Sequence, residues 1–288
     1  MSTGLELYDR AAQAAAGTVI TAYSTSFSLA ARLLGTRVRP HVRNVYALVR
    51  IADEVVDGPA AEAGLAPETL RRVLDELEAE TLTAITRGFS TNLIVHAFCR
   101  TAREAGIDSS LVRPFFASMR TDLSVAAHDA RSHDSYVYGS AEVVGLMCLQ
   151  IFLNIGASSP VTPSAELRDG ARRLGAAFQD VNFLRDLSHD ATALGRDYLG
   201  VRAGGAARTE VLDRVDADLA AAAAVVLQLP SDCRRAVTVA HDLFAALAQR
   251  LRADDGIGQD LRVRVPDPVK ATLAARAMLG FGPRGART

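Results

Sequence analysis

Cysteine is scarce in this 288-residue chain, occurring only at Cys99, Cys148 and Cys233. No C-x-x-C pair and no paired-histidine zinc spacing occurs, so a soft-ligand metal site is excluded. Three scattered thiols fit a reducing compartment, each read as a buried structural group. Net charge is slight too, −1 at pH 7, which removes the electrostatic case for nucleic acid. The N-terminus, Met1 to Asp9, has no basic n-region and no apolar h-region, so no signal peptide is expected. The longest apolar stretches, 143–155 and 219–229, are too short to span a bilayer comfortably and read as core helices. A cytoplasmic protein is expected, with peripheral membrane contact left open. Alternating β-branched runs are few, and neither an internal repeat nor a linker-like shift in composition is present.

What is present is helical spacing almost throughout, rich in Ala and Leu. The pattern predicts helices near 6–22, 24–34, 39–56, 67–87, 91–105, 109–127, 133–155, 164–187, 207–228, 231–253 and 266–278. Gly and Pro punctuate the gaps, among them Gly58-Pro59, Pro67, Gly106, Gly204-Gly205, Pro230 and Pro266. An all-α chain follows, one domain over 1–279 with a Gly/Arg-rich tail, 280–288, expected to fray. A chain this long buries about three quarters of its unfolded surface, enough for a large core with an internal cavity.

Two acidic segments about 120 residues apart interrupt the apolar pattern. The first reads Arg50-Ile-Ala-Asp53-Glu-Val-Val-Asp57 and the second Gln179-Asp-Val-Asn182-Phe-Leu-Arg185-Asp186-Leu-Ser-His-Asp190. With Tyr46 set to zero on a helical wheel, Arg50 falls at about 40°, Asp53 at about 340° and Asp57 at about 20°. Those four share one stripe, and Glu54 does not. With Asn182 at zero, Gln179 lies near about 60°, Asp186 about 40° and Asp190 about 80°. Asp180 points almost the opposite way and is expected on an outer face. Gly175 and Ala176, on or near the stripe, are expected to leave room for a ligand.

Two like charges about 6 Å apart repel by roughly 3 kcal/mol at an effective dielectric near 20. On a solvated helix face, the ordinary setting of a lone D-x-x-x-D, water and salt relieve most of that. In a cavity the cost persists unless a cation is present. Both stripes are bordered by Ala, Val, Ile, Leu and Phe, and each carries an arginine suited to phosphate, Arg50 and Arg185. Mg²⁺ suits an all-oxygen donor set and commonly bridges one or two carboxylates to substrate phosphates.

Other stretches have two readings each. Ser24, Ser26 and their neighbours before an apolar run can cap a helix or receive phosphate oxygens. Arg196, after the second acidic helix, is either a bidentate diphosphate donor or half of a surface ion pair. Arg262 to Lys270 offers positive charge, or ordinary surface. The small residues between Tyr136 and Met147 leave space for an apolar ligand, or allow close helix–helix packing.

From Tyr23 to about Lys270 the chain resembles the squalene/phytoene synthase family of head-to-head trans-prenyltransferases, and within it the bacterial phytoene synthases. The resemblance rests on Tyr-Ser-Thr-Ser-Phe-Ser (23–28), Tyr46 to Gly58, Met119-Arg-Thr-Asp122-Leu123, Tyr136 to Met147, and Gly175 to Asp190 with Arg196-Asp-Tyr198-Leu199. It implies one all-α isoprenoid-synthase (class I terpenoid synthase) bundle around a central cavity. It implies Mg²⁺, with Mn²⁺ as a substitute, held by Asp53, Asp57, Asn182, Asp186 and Asp190. Ser24, Ser26, Arg50, Gln179, Arg185, Arg196, Arg262 and Lys270 become candidates for the substrate's diphosphate end, and Tyr46 and Tyr136 would stand near the reacting carbons. Two features depart from the family's usual pattern. Glu142-Val143 replaces a common Gly-Thr, and His189 stands where an acidic or small residue is common; both bear on product outcome.

The implied reaction joins two geranylgeranyl diphosphates. Ionisation of one gives an allylic cation that alkylates the other, and proton loss leaves a cyclopropylcarbinyl diphosphate. A second ionisation, rearrangement and proton loss give the 1-1′ product phytoene, without NADPH. On the same scaffold a squalene or dehydrosqualene synthase would use farnesyl diphosphate. Less favoured are a class I terpene cyclase and a silent homologue acting as a partner-binding scaffold. Oligomeric state and contact with neighbouring pathway enzymes are left open.

Overall fold

The computed structural model describes residues 3–124, 130–189, 205–253 and 263–283, and all regular structure among them is helical. In chain order the helices are α1 (Gly4–Tyr23), α2 (Thr25–Arg32), α3 (Arg39–Val56), the short α4 (Pro59–Glu62), α5 (Pro67–Arg87), α6 (Leu93–Ala105), α7 (Ser109–Asp122), α8 (Ala130–Val137), α9 (Val143–Asn154), α10 (Ala165–His189), α11 (Gly205–Val225), α12 (Ser231–Ala253) and α13 (Asp267–Met278). Local chemistry sets many of the ends. Thr3 and Glu6 form a reciprocal capping box on α1. Asn92 and Asp108 accept backbone N–H bonds at the starts of α6 and α7. Pro40 and Pro67 sit in the first turns of α3 and α5, and Gly88 and Gly106 end α5 and α6 with φ of 82° and 75°.

Three sequence expectations change. The helix expected over 109–127 ends at Asp122, where Leu123 and Ser124 turn back onto Arg120 and Thr121. The helix expected over 133–155 is two, α8 and α9, joined by one π-helical turn, Tyr138–Glu142. Because helix runs through that turn, Ser132–Asn154 spans 23 residues, and its most apolar 18-residue window has a mean hydropathy of 1.5, long and apolar enough to cross a bilayer by length and composition alone. The shortness inferred from the apolar run therefore does not hold. Its core placement does: Val143, Met147, Leu149 and Ile151 are at most 2% exposed.

Two apolar cores flank the middle of the fold. The first unites α1, α3, α5, α6, α7 and α9 through Ile20, Leu48, Leu74, Phe98, Phe115, Phe116 and Ile151. The second unites α10 to α13 through Val181, Leu184, Val215, Val239, Leu251 and Leu273. Leu33 packs against both. Arg37, in the α2–α3 turn, pairs with Asp232 at the start of α12 (2.9 Å) and donates to the carbonyls of Phe152 (3.1 Å) and Ile155 at the end of α9. Its bond to Asp232 holds that carboxyl below its usual range.

Close backbone approach joins the halves at α10. A Cβ on Gly175 would lie 2.6 Å from the Ala141 carbonyl oxygen, and one on Gly145 would strike the Ala171 carbonyl. Gly139 is similarly closed by Ser118 and the Pro114 carbonyl of α7. These small residues therefore serve helix packing. The space expected beside Gly175 is filled by the π-turn.

Candidate active site

The C-terminal turn of α3 concentrates negative charge. Asp53, Glu54 and Asp57 fall there with no basic residue in the last turn, at the negative end of the helix dipole. Burial pushes the Asp53 carboxyl well above its ordinary range. Asp57 pushes it further, Arg50 opposes, and Asp122 and Glu54 add to the rise. A half-buried carboxylate among three others is costly to ionise unless a cation joins it.

The Tyr46–Arg50 part of the stripe faces the junction of α1 and α2. Burial raises the Tyr46 phenol, while Arg50 and a hydrogen bond with Ser24 act the other way. The Arg50 guanidinium lies 4.6 Å from the centroid of the Tyr23 ring. It also pairs with Glu54, so Glu54, off the stripe by projection, joins the site through an i,i+4 contact. Burial works against the Arg50 charge, but Glu54, Asp53 and Asp57 outweigh it and its pKa is raised. Among the described residues, the buried Arg50 Nε–H has no hydrogen-bond partner. A phosphate oxygen would satisfy such a donor.

The second segment is reached through α7 and α8. Asp122, the last residue of α7, is 7% exposed and accepts a 2.8 Å bond from the Tyr136 hydroxyl. The Tyr136 ring is 5% exposed and packs 5.9 Å from Phe183 of α10. Phe183 follows Asn182 and precedes Asp186 by three residues. Arg185 grips Asp186 with two bonds, 3.0 and 2.5 Å. Asn182 and Gln179 are half-buried on the same helix. A path of contacts and charge thus runs from Asp53 through Asp122, Tyr136 and Phe183 to the α10 stripe. Asp122 and Phe183 were not singled out from sequence; Asp122 lay within the Met119–Leu123 stretch, but spacing on α7 alone does not say which helix it faces.

Other candidates fall elsewhere. Asp190, Arg196, Arg262 and the Ser26 side chain lie outside the described residues, as does the side chain of His189. Lys270 makes a local 3.0 Å pair with Asp267 at the start of α13. Asp180 turns from the stripe as expected, yet it is 2% exposed rather than on an outer surface. The far side of α10 is covered by α11 and α8, and Asp180 meets Arg214 at 2.9 Å and His133 at 3.2 Å there. Glu142 pairs with Arg172 at 2.6 Å, along the same flank of α10. Asp180, Glu142, His133 and Arg214 line a cleft of about 400 Å³ on that flank, which also admits Ala176.

Among the described residues, no three His, Cys, Asp or Glu side chains are close enough to hold a metal by protein ligands alone. Mg²⁺ does not require three, because it keeps several waters and takes phosphate oxygens. The oxygen-only donors of α3 and the elevated Asp53 carboxyl fit such an ion.

The squalene/phytoene synthase family matches residues 20–203. The chain belongs to that family. Its chemistry is therefore prenyl transfer, and the acidic stripes of α3 and α10 lie within the matched span. The 15-cis-phytoene synthase of Paracoccus sp. (strain N81106 / MBIC 01143) is 30% identical over 91% of this chain and 88% of its own. Phytoene synthase 1, chloroplastic, of Solanum lycopersicum is 31% identical over 67% of this chain, but this chain spans only 44% of that protein. In fold, a dehydrosqualene synthase solved with a ligand superposes with a TM-score of 0.77 at 21% identity, covering 94% of this chain and 97% of that one. Squalene synthase HpnC from Alicyclobacillus acidocaldarius superposes at 0.72 and 20% identity, covering 86% and 95%. These place the chain on the all-α squalene-synthase scaffold.

Proposed function

We propose that this member of the family condenses two geranylgeranyl diphosphates head to head, through a cyclopropylcarbinyl diphosphate, to phytoene, within carotenoid biosynthesis. The observation that carries the site assignment is the desolvated Asp53 carboxyl beside Asp57, flanked by the Arg50 Nε–H donor, which has no partner among the described residues. The choice of a C20 substrate is supported by likeness to the Paracoccus enzyme over most of both chains.

Bound Mg²⁺ would withdraw charge from the leaving diphosphate at Asp53 and Asp57 on one side and Asn182, Asp186 and Asp190 on the other. The protein's own groups do the rest. Arg50, with Ser24 beside it through Tyr46, orients one diphosphate. Arg185 leaves Asp186 for a phosphate oxygen when substrate enters, and Gln179, Arg196, Arg262 and Lys270 complete the anionic end. Tyr46 and Tyr136 face the developing allylic cation with electron-rich rings. Tyr136, Val137 and Phe183 form an apolar wall that keeps water from it. The released diphosphate accepts the final proton, so no reductant is consumed. Asp53→Ala and Asp186→Ala are each expected to lower turnover by at least about 1000-fold while helix content is preserved. Turnover in either variant near that of the parent would overturn the assignment.

A further inference from the structure

The family reading gives Tyr136 a place near the reacting carbons but says nothing of what holds it there. Its hydroxyl donates to a buried carboxylate from another helix, Tyr136 Oη to Asp122 Oδ2 at 2.8 Å. Both partners are buried, at 5% and 7% exposure. A bond from a phenol to an ionised carboxylate is roughly twice as strong as a neutral one, and more so in a low-dielectric wall. It fixes the ring's rotation, and it draws the phenolic hydrogen towards Asp122. The oxygen and ring are left richer in electrons. The ring also packs 5.9 Å from Phe183, and the Tyr136 backbone carbonyl accepts a 3.1 Å bond from the Ser118 hydroxyl.

We propose that Asp122 is a positioning residue for the condensation: its carboxylate, acting through the Tyr136 hydroxyl, orients and enriches the phenol ring that stabilises the allylic cation. The inference rests on the prenyl-condensation reading above. The bond to Tyr136 directs the Asp122 charge at the ring, where it counts as positive charge develops on carbon. Losing it should therefore slow turnover without weakening substrate binding.

The geometry offers a rival route. Asp122 lies near enough to Asp53 to raise its carboxyl, so its removal can instead act through the α3 cluster. A double-mutant cycle separates the two. Asp122→Asn keeps an acceptor of the same shape and removes the charge. In steady-state assays with geranylgeranyl diphosphate and Mg²⁺, Asp122→Asn is expected to lower kcat about 10-fold, with KM and the Mg²⁺ requirement within about 3-fold of the parent. Tyr136→Phe is expected to lower kcat at least as much, and Tyr136→Phe/Asp122→Asn is expected to equal Tyr136→Phe alone. Asp122→Glu is expected to recover part of the rate.

Three results would overturn the proposal while leaving the enzyme assignment intact. These are parental kcat in Asp122→Asn, losses that multiply in the double variant, or a raised Mg²⁺ requirement with unchanged saturated kcat. Circular dichroism and melting temperature accompany each variant, and a loss of rate that follows a loss of folded protein also counts against it. A parental chain that turns over no prenyl diphosphate overturns the functional reading and this inference together.

Discussion

Asp53 shows what a buried carboxyl costs the fold. Its carboxyl is raised in the folded protein by burial first and by Asp57 next, so the folded chain binds a proton there more tightly than the unfolded chain does. Stability from this group is then present at low pH and is lost as pH rises from the ordinary carboxylate value through the elevated one. In the metal-free protein the ionised form of this carboxyl is disfavoured. Asp53→Asn is expected to raise the melting temperature in EDTA by about 3 °C at pH 7.5, and the gain should shrink towards pH 4. Added Mg²⁺ should narrow the same gap by stabilising the parent. A variant that melts below the parent at pH 7.5 in EDTA would contradict the charge cluster. Cys148 and Cys233 have no such tension. Burial pushes the Cys148 thiol up to about 12 and raises Cys233 too, which keeps both protonated and inert, as the sequence suggested.

At the scale of elements, the seam between α9 and α10 decides how the second acidic helix is presented. Gly145 and Gly175 each bring one helix onto the backbone of its neighbour. Gly145→Ala gains about 1 kcal/mol of helix propensity but forces a methyl onto the Ala171 carbonyl, at an overpacking cost of about 1–3 kcal/mol. The clash is with backbone that cannot swing aside, so the cost wins. A melting temperature about 3–6 °C below the parent is expected, with a larger fractional loss of turnover. An unchanged melting temperature would mean that the seam is looser than described. This seam was only half legible in the sequence. Periodicity and Gly/Pro punctuation placed α3, α5 and α12 to the residue, because those helices begin or end at Pro or Gly signals. The same projection put Tyr46, Arg50, Asp53 and Asp57 on one stripe, since that depends on a single helix. It misjudged Asp180 and Gly175, whose surroundings come from a neighbour: α11 covers Asp180, and the π-turn fills the space at Gly175. Asp122 was hidden for the same reason, because its partner Tyr136 belongs to another helix.

At the scale of the whole molecule, the two acidic helices belong to different cores, and the groups between them are drawn from α7, α8 and the π-turn. That arrangement suits a reaction with two diphosphates. Charge is gathered at the polar ends of α3 and α10, while Tyr136, Val137 and Phe183 form an apolar wall between. The solved structures it resembles share this scaffold at about one fifth identity, so fold alone does not choose between C20 and C30 chains. The most direct test is to incubate the purified chain with Mg²⁺ and either geranylgeranyl or farnesyl diphosphate, with and without NADPH, and to identify the product by mass spectrometry. Phytoene from the C20 substrate, formed equally well without NADPH, is the expected result. A C30 product from farnesyl diphosphate alone would contradict the proposed substrate, and a cyclised product of a single diphosphate would contradict head-to-head condensation itself.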